Sequence, residues 1–403
     1  MDKINLEALH YYLSYKYVPT PLSMFKGRYR KPILDVSGIK FAPPIELSEE
    51  DIVDKLDEIL RKEMAKRMGG NVGFFLSGGL DSSVPVAISA EMSSKPIQTF
   101  TLAYREDDET DGKRSDREYA RIISKLFGTK HHEFYISFDD CVKENANIIK
   151  CIGEPFSCYV SEYFLSRCAK KYIDIALTGD WADELFGSYR THRLAYQNHN
   201  VDTCELRYSM ALFNDEEKQE LYSKDIRQKM QGYSTLEHIK QSSGKLSAED
   251  SLNRMLESEI KTFFVDSTFE SIVKLSKLHS LEVVGVYSFP EFASFAARIP
   301  GGLKIKEGET KYILKQLALR YLPREIIYRP KEGFTIPTLN LVRSQRGYVN
   351  DILSPDNLKI HNLFDIEYVQ NLVDDFYKAE TEIKSYRIWN LVCFQVWYNL
   401  FIK

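Results

Sequence analysis

The chain has 403 residues, 43% of them hydrophobic and 28% charged, with a formal net charge of −4. That balance fits a globular protein of two or three domains, offers no basic surface for nucleic acid, and contains no apolar run of membrane-spanning length. Met1-Asp2-Lys3 lacks a signal-peptide core, so the expected address is the cytoplasm, and the six scattered cysteines, with no CxxC pair, are expected as buried or idle thiols.

In chain order, Leu6, Leu9 and Leu13 have helical spacing, and Pro19 and Pro21 end that helix. Residues 1–48 read as a linker-like extension. Ser48, with Asp51 three residues on, is an N-cap for a helix carrying Ile52, Leu56, Ile59 and Leu60 on one face. Residues 72–76 form a short apolar run of the kind that fills a strand buried on both faces. Ser77, Gly78 and Gly79 then make a turn with almost no side chain, and Asp81, Ser82 and Ser83 open a helix predicted over 81–92. A strand, a glycine turn and a helix start present free N–H groups and a positive helix end to an anion, and the glycines let backbone approach a phosphate. Unlike a Walker A loop, this one has no Lys after its last Gly. Asp81 stands there instead, a sensible choice if Mg²⁺ lies between it and the phosphate.

Strands over 97–103, 132–136 and 173–177 alternate with helices over 116–126, from about 139, and over 161–171. This rhythm predicts an α/β fold, a parallel sheet flanked by helices, with its ligand at the carboxyl ends of the strands. Ser77, Thr101 and Thr178 are expected to converge there. His131 and His132, adjacent on a strand, are expected to be one packed and one exposed imidazole. Beyond about residue 190 the pattern turns helical. The expected division is an α/β core over 49–200 and a helical part over 201–403.

Two further stretches carry chemistry. LTGDWADELFGSY, 177–189, places Asp180, Asp183 and Glu184 within five positions after a strand end, which is costly unless a cation sits among them. EGETKYILKQLALRYLPREIIYRPKEGFTIP, 307–337, has a helix face of Ile313, Leu314, Leu317, Ala318 and Tyr321, then Lys331 in a turn that can reach into a pocket. Lys311 is a weaker candidate and reads first as a surface or packing lysine.

LSGGLDSS resembles the signature of the ATP-pyrophosphatase family that includes the synthetase half of glutamine-dependent asparagine synthetases. The two later stretches resemble that family's GDGADELFGGY segment and its RxKxGF motif. The resemblance covers nearly the whole chain. It implies an adenine nucleotide alpha-hydrolase-like fold and an ATP- and Mg²⁺-dependent ligase that adenylylates a carboxylate, transfers it to ammonia or an amine, and releases AMP and pyrophosphate. By resemblance, Leu76, Ser77, Gly78, Gly79, Asp81, Ser82, Leu102, Thr178 and Gly179 bind the nucleotide. Asp81 and Asp183 hold the metal, Asp180 meets the nucleophile, and Lys331 stabilises charge at the α-phosphate. GEPF, 153–156, resembles a family turn in which Glu154 is structural. The implied partners are a small carboxylic acid and ammonia or an amine, with a separate glutaminase subunit and a homo-oligomer left open.

Three departures stand out. Asp2 occupies the place of the glutaminase nucleophile Cys, so ammonia release from glutamine by that route is not expected. Trp181 replaces a small residue. Aligned without gaps, Val273, Val284 and Phe289 stand where the family's DRxSMAxxLExRxPFLD pattern has Asp, Arg and Asp, which argues for an acid other than aspartate, as in β-lactam synthetases and lasso-peptide cyclases, or for a segment with only a structural role. A nucleotide-binding subunit without catalysis is the non-enzyme alternative.

Overall fold

Residues 3–158, 160–330, 333 and 335–403 are described by the computed structural model. β1 (Val72–Phe75) is the centre of the sheet, pairing in parallel with β2 (Gln98–Tyr104) on one side and β4 (Ile175–Thr178) on the other. β3 (Lys130–Ile136) extends the sheet beyond β2, and β5 (Glu282–Gly285) extends it beyond β4. The resulting order is β3-β2-β1-β4-β5, all parallel. The chain thus winds outward from β1 in both directions, which puts the topological switch point between β1 and β4. In open parallel sheets, ligands bind in the crevice at that point, beyond the strand carboxyl ends.

The order follows from the pattern of short apolar strands and amphipathic helices. α1 (Leu6–Tyr15) precedes the sheet, and Asn5 caps it by accepting from Glu7 N and Ala8 N. α2 (Glu49–Ala65) begins on the Ser48 cap, with Ile52, Leu56, Ile59 and Leu60 buried. α3 (Leu80–Met92) follows β1, α4 (Asp111–Phe127) follows β2, α5 (Phe138–Ile152) and α6 (Ser161–Ala169) lie between β3 and β4, and the one-turn α7 (Ala182–Phe186) follows β4. Phe74, Leu76, Val84, Ala87 and Ile88 share one core with Leu177, Trp181, Phe292 and Leu314, so the strand–turn–helix unit is clamped by side chains from both halves of the chain.

The region beyond residue 190 is mainly helical, but it supplies the fifth strand. β5 is four residues long and carries the segment in which Val284 stands in place of Arg. A continuous helix over residues 251–278 leads into it, and its middle, Ile260–Phe269, is wound as a π-helix. Such segments are rare and concentrate at functional sites.

The N-terminal segment packs into a second core, where Leu9, Tyr12 and Leu13 meet Phe394 and Trp397 of the Glu382–Phe401 helix. Glu154 is structural: it accepts from Ser23 Oγ at 2.6 Å and Met24 N at 2.7 Å, pinning this segment. His131 and His132 depart from expectation, since neither is exposed. His131 Nδ1 lies 2.9 Å from Thr99 Oγ1, while the His132 ring stacks 5.0 Å from Phe100 and lies 4.2 Å from Tyr172. All six cysteines are free thiols. Among the described residues, no helix is long and apolar enough to cross a membrane.

Candidate active site

A cavity of about 230 Å³ opens at the switch point. Leu76, Ser77, Asp81, Ser82, Leu102, Thr178, Gly179, Asp180 and Asp183 all line it, so the turn after β1 and the acids after β4 face the same space. Gly333 and Thr335 line it too, from within the 307–337 stretch. Lys331, singled out from sequence, lies outside the described residues.

The turn is built by hydroxyl groups. Ser82 Oγ accepts from Ser77 N at 3.1 Å and lies 3.0 Å from Ser77 Oγ, which in turn accepts from Gly79 N at 3.3 Å. Gly79 is the N-cap of α3, and no side chain caps that helix start. The first-turn N–H groups therefore remain available to an anion. The glycines divide the work differently from the sequence expectation. Gly78 has φ +70, and a Cβ there would lie 2.4 Å from Ala120 N, so it is glycine because α4 packs against it. A Cβ on Gly179 would lie 2.6 Å from Asp81 C and 2.8 Å from Ser82 N, so the end of β4 abuts the start of α3. A Cβ on Gly79 would meet only side-chain atoms at van der Waals distance, Ser77 Oγ at 3.4 Å and Arg329 Nη2 at 3.7 Å. Thr101 lies within β2, not at its end, and donates to the carbonyl of Leu76.

Lys311, the weaker candidate in the sequence, is not a surface lysine. It is 4% exposed, and its Nζ donates to both carboxylate oxygens of Asp81, at 2.7 and 2.6 Å, and pairs with Asp183 Oδ1. Burial works against the ammonium, yet the charges of Asp183 and Asp81 outweigh it and hold Lys311 above its ordinary pKa. The two carboxylates expected to surround a cation thus do surround one. Among the described residues, no group of three or more His, Cys, Asp or Glu is placed to hold a metal ion. Two carboxylates with phosphate and water oxygens nonetheless make a hard-donor set suited to Mg²⁺, which rarely takes a full protein cage. Arg329 stands on the other side of the turn, paired with Asp116, with Nη2 3.7 Å from the Cβ position of Gly79. Its signal lay in the quoted RxKxGF stretch.

Asp180 sits where β4 ends. Desolvation in the cavity pushes its carboxyl up to about 6, against the hydrogen bond from Thr178 and with added repulsion from Asp183 and Asp81. Trp181 follows in the left-handed region, at φ +79, where a bulky residue is an outlier that glycine would occupy without strain. Packing enforces the conformation: Trp181 is 1% exposed and meets Phe264 of the π segment edge-on, with ring centroids 4.8 Å apart.

One contact links the far strand to the turn. Pro85 lies inside α3, has no N–H, and so leaves the Asp81 carbonyl without its helical partner. The Tyr287 hydroxyl, from the residues after β5, donates to that carbonyl at 3.1 Å. Tyr287→Phe is expected to lower stability by about 1–2 kcal/mol, the cost of an orphaned buried carbonyl. In a Pro85→Ala background, where the N–H is restored, the same substitution should cost measurably less. Urea unfolding of the four proteins of the cycle reads the difference, and strict additivity would contradict the link.

A parallel sheet with an uncapped helix start and paired acids at its switch point is the kind of α/β scaffold that handles nucleotides. Residues 54–399 match the asparagine synthase family. Putative glutamine-hydrolysing asparagine synthetases of Mycobacterium bovis and Mycobacterium tuberculosis are each 24% identical over 454 residues, covering 100% of this chain and 68% of the relative. Asparagine synthetase 1 of Bacillus subtilis is 23% identical over 461 residues, covering 100% of this chain and 70% of its own length. The chain belongs to the asparagine synthase family, and it is accordingly an ATP-dependent carbon–nitrogen ligase.

Proposed function

We propose that the chain activates a carboxylic acid as its adenylate and passes the acyl group to a nitrogen nucleophile, releasing pyrophosphate and AMP. The observation that carries this reading is the meeting of Asp81 and Asp183 on the ammonium of Lys311, beside an uncapped helix start. In the first step a substrate carboxylate oxygen attacks the α-phosphorus, and the bond to the β-phosphate breaks. Negative charge grows on the leaving pyrophosphate. The N–H groups of the 77–82 turn, Lys311 and Arg329 are the groups that hold it, and preorganised charge of this kind is the largest catalytic term in many enzymes. Asp81 and Asp183 would hold Mg²⁺, which when bound neutralises phosphate charge. Leu76, Leu102, Thr178 and Gly179 would border the nucleoside, and Lys331 would serve the charge at the α-phosphate.

In the second step the nitrogen attacks the acyl carbon, AMP leaves with the bonding electrons, and the nitrogen loses a proton. Asp180 is suited to take it, since a base held near pH 6 is ionised at neutrality and still accepts readily. An acid other than aspartate is a second reading. It is favoured by the cavity wall, which carries no Lys, Arg or His among its described lining residues to meet the further carboxylate of aspartate.

Exchange of labelled pyrophosphate into ATP tests the first step without the nitrogen donor. Incubated with a panel of carboxylic acids, the protein is expected to label ATP with a small subset of them. No label with any acid, or ADP as the spent nucleotide, would overturn the proposal.

A further inference from the structure

Among the described residues, five acids line the cavity: Asp81, Glu162, Asp180, Asp183 and Glu184. Four of them have partners in the protein. Asp81 and Asp183 share Lys311, Asp180 accepts from Thr178, and Glu184 accepts from the Tyr189 hydroxyl at 2.7 Å. Glu162 differs. It is 6% exposed, and its Oε2 is buried without a hydrogen-bond partner among the described residues.

An orphaned carboxylate oxygen is costly to bury, and native structures rarely keep one without a ligand, ion or water to meet it. Burial, with the nearby charge of Asp180, pushes Glu162 up to about 8, so the hydrogen bond from its own backbone does not offset the cost of the ionised form. A cation from outside would. Part of the wall of the same cavity is apolar. Leu165, one turn further along α6, lines the same cavity, as do Trp181 and Phe264, which pack on each other. Free ammonia needs no such wall, whereas an organic amine buries its carbon body there.

From this juxtaposition we infer that Glu162 and Asp180 form the subsite for the nitrogen donor, and that this donor is an organic primary amine bound as its ammonium, with its apolar body against Leu165, Trp181 and Phe264. The inference rests on the ligase reading above and names its second substrate by class. The proton balance agrees. Turning a bound ammonium and an acyl-adenylate into an amide and AMP forms one N–C bond, breaks one C–O bond and sheds two protons. Two carboxylates stand ready to take them.

The test is a calorimetric titration of the full chain with n-butylammonium chloride, ammonium chloride and 1-butanol. The wild-type protein is expected to bind butylammonium at least tenfold more tightly than either of the others. Glu162→Gln, which keeps the shape and removes the charge, should erase the preference over butanol. Leu165→Asn, which spoils the wall, should erase the preference over ammonium and serves as the independent second variant. A wild-type preference for ammonium or butanol overturns the inference, and so does an unchanged preference in Glu162→Gln. These readings need no turnover, so they can fail while pyrophosphate exchange succeeds, and the reverse.

Discussion

Lys311→Ala is expected to lose pyrophosphate exchange by at least about a hundredfold, the usual loss when one preorganised charge is removed from a developing anion. The fold should suffer as well. Truncating one partner of a fully buried pair costs about 3–5 kcal/mol, because the other charge is left uncompensated. Here the carboxylates keep part of their solvation, with side-chain exposures of 26% for Asp81 and 21% for Asp183. About 2 kcal/mol is therefore the expected cost, read by urea unfolding. Lys311→Met should behave like the alanine variant, since it keeps the stem and loses only the charge. Mg²⁺ supplies a sharper readout. With the ammonium gone, two acids face each other with nothing between them, so adding Mg²⁺ should raise the melting temperature of Lys311→Ala more than that of the wild type. Equal Mg²⁺ responses, or exchange retained in Lys311→Met, would show that this lysine is a packing residue after all.

What could be read from the sequence, and what could not, divides by range. The strand, glycine turn and helix start of 72–92 were legible because each is a local pattern: an apolar run, two glycines, and a helix with acid in its first turn. Lys311 was legible only as a weaker candidate. Its partner Asp81 is 230 positions away, and a lysine before an apolar helix face looks solvated until the fold brings the acids to it. β5 was hidden for a related reason. Four residues carry no alternation to recognise, and they sit in a helical region, so only pairing with β4 defines them. Trp181 was noticed for its bulk, but its left-handed backbone is a property of the turn between β4 and α7 that side-chain identity does not announce. Glu162 carried no motif at all. It becomes conspicuous only in the fold, where one of its oxygens has no partner among the described residues.

The three glycines around the turn should respond differently to alanine, and the pattern separates packing from ligand approach. At Gly78 the new methyl would meet the backbone of α4 at 2.4 Å, in a left-handed conformation that alanine resists. At Gly179 it would meet the backbone of Asp81 and Ser82 at 2.6–2.8 Å. Backbone cannot rotate out of the way as a side chain can, so α3 or α4 must move. The expected cost is about 3 kcal/mol at each position, the upper end for overpacking. A shift of the turn by even about 1 Å should also lower exchange on the order of a hundredfold. Gly79 is the opposite case. Its φ of −79 suits alanine, and its methyl would find no atom closer than 3.4 Å. Gly79→Ala should therefore unfold at nearly the wild-type urea concentration and yet exchange poorly, because the methyl would point into the space beside Arg329 where the leaving anion is proposed to lie. If Gly79→Ala exchanged normally, the anion would have to lie elsewhere on the turn, and the first-turn N–H groups of α3 would lose their assigned role.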